Sequence, residues 1–410
     1  MNHRVVVTGM GGLSPIGLDW ETTYKNLIEK KSGISAMPEW AEFDGLQTNI
    51  AGEIKDFQLP AHYPRKKTRS MGRVAQMSAV ATEDAIKDAG LFETEFLTDG
   101  RTGIAYGSST GSPTALKVFA TKMMVNQSLK GITSTNYIKM MSHTCAANLG
   151  QFFGTKGRII TTCSACTSGS QAIGFGYEAI KFGLQKIMLA GGAEELSPTE
   201  AVVFDILFAT STKNDTPELT PTPFDVDRDG LVIGEGAGTL VLEDLEHAQA
   251  RGAKIYAEVI GHGANSDGVH ITNPDSEGMQ KVMEMALQDA GISKEQIGYI
   301  SAHGTATETG DIAETNAMNR LFGNKTPSSS LKSYMGHTLG ACGALEAWMS
   351  IEMMRNQWFA PTIHLKNVDP RCGDIDYIVG DGKNIDTEYI MSNNFAFGGI
   401  NTSLIFKRWS

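Results

Sequence analysis

Apolar runs of strand length alternate with segments of helical spacing along the whole chain, with no low-complexity stretch and no proline-rich linker. That alternation predicts an α/β architecture. The first strand is RVVVTG, followed by a glycine-rich turn, and VAQMSAVATEDAIKDAG, from Val74, has helical spacing and closes on a glycine cap. Further on, Ile159 and Ile160 lead a short strand, Ile173, Tyr177 and Ile180 share one helical face, and KIMLAGG returns as a strand. A turn carrying Cys166 therefore joins a strand to a helix. LEDLEHAQARG reads as an acidic-basic helix, and KIYAEVIGHGANSDG then repeats the plan of HRVVVTGMGGLSPIG: strand, glycines, polar turn. Two halves of related topology follow from that repeat, with the boundary near Gly252.

At 410 residues, with 41% hydrophobic and 20% charged residues, the chain can bury a substantial core and is not a disordered protein. Nowhere do eighteen apolar residues run uninterrupted, and the apolar run at the N-terminus is too short for a signal-peptide core. The expectation is a soluble, cytoplasmic protein without a membrane span. Five cysteines at irregular positions argue against a secreted disulfide framework. The formal charge of −11 argues against nucleic acid as a partner. One run, PRKKTR, opposes that charge by grouping Arg65, Lys66, Lys67 and Arg69, and its plain reading is a solvated helix start.

The chemistry centres on TTCSACTSGSQ, in which Cys163 and Cys166 have Cys-x-x-Cys spacing. A structural zinc site needs a second ligand pair, and no other Cys-x-x-Cys or Cys-x-x-His occurs, so no metal is expected. A redox pair fits the spacing, although Ser164 and Ala165 are not the usual intervening residues. The third reading makes Cys166 a nucleophile at the first turn of a helix. A helix N-terminus is worth at most about 2 kcal/mol to a thiolate, roughly 1.5 pK units, so a further partner is needed. His303, in YISAHGTATETGD, and His337, in SLKSYMGHTLGACGALE, lie in loops beside glycines, where a lone histidine is usually structural. In the first of these runs Asp311 is expected to cap a helix, with Glu314 three residues on.

SACTSG, PFDVDRDGLVIGEGAG, HGTATETGD, KSYMGHTLGACGALE and NNFAFGGIN, in this order along the chain, together resemble the β-ketoacyl-acyl-carrier-protein synthases of the elongating classes. The resemblance runs from RVVVTG to the C-terminal NTSLIF. It implies a thiolase-like fold of two duplicated halves in a five-layer αβαβα arrangement, here residues 1–252 with the nucleophile and 253–410 with the histidines. It implies decarboxylative condensation of an acyl chain held on Cys166 with malonyl-acyl carrier protein. His303 and His337 would donate hydrogen bonds, Lys332 and Glu346 would support them, and the backbones of Cys166 and Phe397 would hold the oxyanion. Without the family, Lys332 and Glu346 would be a surface ion pair worth less than about 1 kcal/mol.

The same resemblance assigns Thr305 and Thr307 to pantetheine, Phe224 to the malonyl site, Phe397 to an acyl gate and Thr110 to the depth of the acyl pocket. Lys66, Lys67 and Arg69 would dock an acidic acyl carrier protein. No free cofactor is implied, because phosphopantetheine arrives on the carrier, and the partner subunit would be the same chain or a related one. Cys163 departs from the family and is expected to pack behind the nucleophile. GHTLG at His337 opposes the chain-initiating class, NNFAFGGIN lacks the second cysteine of degradative thiolases, and Cys166 opposes an inactive chain-length factor. SACTSGSQAIG, SLKSYMGHTLGACGALEAW and NNFAFGGINTS are similar to ketosynthases of aryl-polyene pigment clusters. Housekeeping fatty-acid elongation and a non-catalytic partner subunit are the alternatives.

Overall fold

A computed structural model describes residues 2–409. Eleven strands form one sheet: β1 (Val5–Leu13), β2 (Thr102–Gly107), β3 (Ile159–Thr162), β4 (Ile187–Glu194), β5 (Gly236–Asp244), β6 (Ala257–Ser266), β7 (Ile297–Ser301), β8 (Pro327–Ser329), β9 (Asp376–Tyr377), β10 (Tyr389–Ala396) and β11 (Ile400–Arg408). Their spatial order is β9-β8-β7-β10-β11-β6-β1-β5-β4-β2-β3.

That order contains the same five-strand plan twice. In β3-β2-β4-β5-β1 the first three strands are parallel and the last two pairings antiparallel. The plan repeats in β8-β7-β10-β11-β6. The two sets meet where β1 pairs antiparallel with β6.

Six helices make the other layers: α1 (Arg73–Asp88), α2 (Thr144–Phe153), α3 (Ser168–Lys181), α4 (Ser276–Ala290), α5 (Glu308–Phe322) and α6 (Cys342–Asn356). α1 and α2 cover the first set of strands and α4 and α5 the second, while α3 and α6 pack on each other between the two. The result is the five-layer αβαβα arrangement. Every residue from Cys342 to Met354 of α6 is buried, as a helix enclosed on all sides requires.

The structure corrects the reading of the glycines. β1 does not turn after RVVVTG but continues through Gly9, Gly11 and Gly12, with all nine of its positions buried. A Cβ at Gly9 would meet the Ala85 carbonyl oxygen at 2.2 Å, and one at Gly11 the Ala81 oxygen at 2.3 Å. The glycines let α1 lie against the strand. β6 does the same through Gly261 and Gly263, whose Cβ atoms would meet the Ala286 and Val282 oxygens of α4 at 2.5 and 2.2 Å. The weak repeat in sequence is thus one packing device used twice. LEDLEHAQARG is likewise divided: Leu242 to Asp244 end β5, and the helix Leu245–Ala250 starts where the Asp244 carboxylate accepts from the His247 N–H at 3.1 Å. Among the described residues no helix is long and apolar enough to cross a membrane.

Candidate active site

After β3 the chain turns through Ser164 and Ala165 into α3, and Cys166 sits in the 3₁₀ turn Ala165–Thr167 that precedes the helix. Ala165 has φ +49°, in the left-handed region, which costs a residue with a Cβ about 1–2 kcal/mol. Local hydrogen bonds hold it there. The Ser164 N–H donates to Ser168 Oγ at 3.0 Å, Ser168 Oγ to the Ala165 carbonyl at 2.7 Å, and Thr167 Oγ1 to the Ser164 carbonyl at 2.7 Å. The Cys166 side chain is buried. Cys163 is not behind it: Cys163 is exposed, its Sγ 3.2 Å from the Ser109 carbonyl, and both cysteines are free thiols. Cys163 directly follows the edge strand β3, which leaves it open to solvent, whereas Cys166 lies in the turn that leads into the buried start of α3.

His337 Nε2 lies 2.9 Å from Cys166 Sγ. The Leu339 N–H donates to His337 Nδ1 at 3.3 Å, so in the neutral ring the proton is on Nε2 and points at the sulfur. The His303 ring stands at 89° to that of His337 with centroids 5.1 Å apart. Lys332 Nζ lies 3.3 Å from His303 Nδ1, which places the His303 proton on Nε2 as well. Lys332 pairs with Glu346, whose other oxygen accepts from Asn394 Nδ2 at 2.7 Å. This ion pair is fully buried, not a surface pair.

Electrostatics fix the protonation states. Burial, with the Lys332 ammonium adding to it, holds both histidines well below the usual imidazole range, and His337 lowers His303 further. Both rings are neutral donors at ordinary pH. Burial opposes the Lys332 charge, but Glu346 outweighs it and the ammonium persists. Burial also pushes the Cys166 thiol up to about 12 against the pull of Lys332, so the resting sulfur is protonated. Cys166, His303 and His337 bring ligand atoms within 4.8 Å of one another, as do His303, Cys342 and Glu346. A metal there would face the Lys332 cation, which already occupies His303 and Glu346.

The loop bearing His303 is held by two acids of α5. Glu314 accepts the N–H groups of His303 and Gly304, each at 2.7 Å, and burial pushes its carboxyl up to about 8. Asp311 is not the helix cap expected from the sequence, because α5 begins at Glu308 and Asp311 lies inside its first turn. Its carboxylate accepts from Phe224 N–H at 2.7 Å and Ala306 N–H at 3.1 Å, and it pairs with Arg228 at 3.4 Å. Sequence reasoning missed Arg228 and the role of Glu314; the only signal was Asp and Glu three apart after the histidine loop.

Cys166, His303, His337, Thr305, Thr307 and Phe397 line one cavity of about 300 Å³. Thr305 and Thr307 hydroxyls are 2.9 Å apart, and Phe397 packs on Phe204 with centroids 5.2 Å apart. The backbone N–H groups of Cys166 and Phe397 donate to no group of the protein among the described residues. Two expected residues lie elsewhere. Phe224 is fully buried behind the wall, its ring tip 2.7 Å from where a Cβ on Gly304 would be. Thr110 is exposed, outside this cavity, with its hydroxyl donating to Glu200 at 2.9 Å. Of the basic run, Arg65, Lys66, Lys67 and Arg69 are all exposed, and Lys67 also donates to the Phe152 carbonyl at 2.6 Å.

A thiol at the head of a central helix, two neutral imidazole donors beside it and free N–H groups facing one cavity define a condensing enzyme of thiolase-like fold. Residues 2–248 match the family Beta-ketoacyl synthase, N-terminal domain, and residues 256–366 its C-terminal domain. The chain belongs to the beta-ketoacyl synthase family. It is 39% identical over 410 residues to 3-oxoacyl-[acyl-carrier-protein] synthase 1 of Haemophilus influenzae, covering 100% of both chains. A beta-ketoacyl synthase from Burkholderia phymatum superposes with a TM-score of 0.98 at 55% identity over 100% of both chains. A ketosynthase solved in complex with its chain length factor, from Xenorhabdus doucetiae, gives 0.86 at 28% identity over 99% of this chain and 98% of that one.

Proposed function

We propose that this enzyme condenses an acyl chain, carried as a thioester on Cys166, with malonyl-acyl carrier protein to give 3-oxoacyl-acyl carrier protein. The observation that carries the proposal is the Cys166 Sγ to His337 Nε2 contact of 2.9 Å beside a free Cys166 N–H. In the first step Sγ attacks the carbonyl of the incoming thioester, and the N–H groups of Cys166 and Phe397 take up the oxyanion. The pantetheine thiol departs with the Cys166 proton. In the second, the bond between the malonyl Cα and its carboxylate breaks and CO₂ leaves. The electron pair spreads onto the thioester oxygen, where His303 and His337 donate from Nε2. Each such donor is worth roughly 10²–10³ in rate. The Cα then attacks the acyl carbonyl, a carbon–carbon bond forms, and the Cys166 thiolate leaves and takes a proton from water.

Lys332 and Glu346 keep the imidazoles neutral and oriented; Thr305 and Thr307 meet the pantetheine arm, and Phe397 separates nucleophile from acyl site. No free cofactor enters these steps. Lys66 and Arg69 receive the carrier protein, with Lys67 beside them. Residues 1–252 bring the nucleophile and 253–410 the histidines, a division supported by the repeated strand order. The partner subunit is a second copy or a related ketosynthase-fold chain, as the relative crystallised with a chain length factor suggests by analogy.

The chain elongated is of the unsaturated, aryl-capped class, on the motif resemblance to aryl-polyene ketosynthases. Housekeeping fatty-acid elongation is the second reading, supported by the similarity to 3-oxoacyl-[acyl-carrier-protein] synthase 1 of Haemophilus influenzae. Intact-mass analysis after incubation with carrier proteins bearing saturated and polyenyl chains separates the two. Acylation confined to Cys166, absent in Cys166→Ala, is the expected result; acylation elsewhere or none at all in folded protein would reject the mechanism.

A further inference from the structure

The helix Pro198–Asp205 supplies a wall of the active-site cavity through Phe204, the residue on which Phe397 packs. Glu200 lies four residues earlier, one turn away on the same face. It is only 5% exposed. One of its oxygens, Oε1, accepts from Thr110 Oγ1 at 2.9 Å, while Oε2 is buried and has no hydrogen-bond partner among the described residues. Neighbouring acids are not in that position. Glu194 accepts from Ser108 Oγ at 3.0 Å and from the Ser109 and Gly340 N–H groups, each at 2.9 Å, and Glu235 holds Arg73 through both oxygens. Burial, with Glu194 adding to it, raises the Glu200 carboxyl well above the ordinary range. It therefore keeps its proton and presents an O–H with nothing to donate to.

We infer that Glu200 closes the far side of the acyl site, past Phe397 and Phe204, and selects acyl chains that carry a hydrogen-bond-accepting oxygen there. Such a chain ends in a hydroxyl or a phenol. A chain ending in a methyl group leaves the Glu200 O–H unpaired and is discriminated against, because buried polar groups without partners penalise the analogue that lacks the oxygen. The inference rests on the proposed function, since it concerns the chain that Cys166 receives.

The test uses carrier proteins loaded with matched pairs of chains over a ladder of lengths, one member ending in methyl and the other in hydroxyl. The rate of Cys166 acylation is read by intact mass for wild type, Glu200→Gln and Glu200→Leu. Wild type is expected to favour the hydroxyl member by roughly tenfold or more at one length. Glu200→Leu should reverse that preference, and Glu200→Gln, whose amide still donates, should keep part of it. Equal preference in all three proteins overturns the inference. So does a change confined to melting temperature or subunit association, which would mean that a second subunit pairs Oε2 across the exposed Val203, Ile206 and Phe208. Failure of every chain to acylate wild type would bring down the proposed function, and this inference with it.

Discussion

At Ala165 and at Leu339 the backbone makes the same move. Each residue has positive φ, +49° and +46°, opens a 3₁₀ turn and leads directly into a long helix of the central layer. Cys166 is the second residue of one turn and Gly340 the second of the other. Their N–H groups meet different fates. That of Gly340 donates to the Glu194 carboxylate at 2.9 Å, and a Cβ there would lie 2.7 Å from the same oxygen. That of Cys166 donates to nothing in the protein among the described residues. The duplicated fold thus makes two helix starts suited to a negative oxygen. One is filled by the protein's own carboxylate, and the other is left open beside a thiol.

Removing the thiol breaks the comparison most completely. Cys166→Ala is expected to lower condensation by roughly 10³-fold or more while the protein stays folded, since the alternative route lacks a covalent intermediate. Mass analysis for the acyl-enzyme and a carrier-protein assay for product check it; substantial turnover by the variant would contradict the assignment. His303→Ala and His337→Ala should each lose roughly 10²–10³ in decarboxylation, measured as CO₂ release, with acylation of Cys166 reduced less. Equal loss in both steps would assign the rings to thiol activation instead.

At the paired position the effect should be on stability. Gly340→Ala forces a methyl group against Glu194 and the Ser109 N–H at 2.7 and 2.8 Å and is expected to cost about 1–3 kcal/mol. Cys166→Ala should stay within about 1 kcal/mol of wild type. Denaturant unfolding compares the two, and equal costs would remove the distinction between a filled and an open turn.

Protonation adds a smaller signature. The folded histidines have depressed pKa values, so as pH falls below about 6.5 the unfolded chain takes protons that the folded chain refuses. Each buried ring then contributes a loss of about 1.4 kcal/mol per pH unit until its folded pKa is reached. Asp311 and Glu314, raised to about 6 and 8, act in the opposite direction as pH falls. The difference between wild type and His337→Asn isolates the histidine, and its slope should be flatter in the variant. Lys332, cationic throughout, drops out of that difference.

What could be read in the sequence were the loops that carry chemistry. Cys166, His303, His337, Lys332 and Glu346 stand in short runs of unusual composition, and the structure brings them together. What could not be read depended on partners distant in the chain. Gly9 and Gly261 look like turn residues until α1 and α4 are laid against them. Asp311 looks like a helix cap until Phe224 and Arg228, far upstream, arrive to be held. Cys163, a departure from the family, is expected behind the nucleophile, yet β3 is an edge strand and leaves it exposed. Phe224 is expected at the malonyl site by resemblance, which transfers a position along the chain but not the side of a wall on which a side chain stands.

The smallest effect lies on the surface of the half that holds the open turn. Lys66, Lys67 and Arg69 are all exposed, but the Lys67 ammonium is tied to the Phe152 carbonyl while the other two are not. If Lys66 and Arg69 meet an acidic carrier protein, Lys66→Glu with Arg69→Glu should raise KM for the carrier by roughly threefold to tenfold and leave kcat unchanged. The penalty should shrink as salt rises, because charges exposed to water are screened within about 10 Å at 0.1 M. Acylation by a small pantetheine thioester that bears no carrier protein should be untouched. Lys67→Ala separates docking from folding: its effect should appear in the melting temperature, through the lost bond to Phe152, more than in KM. A KM effect that is as large with the small thioester as with the carrier would locate these charges in the catalytic geometry of the first half and not on its docking face.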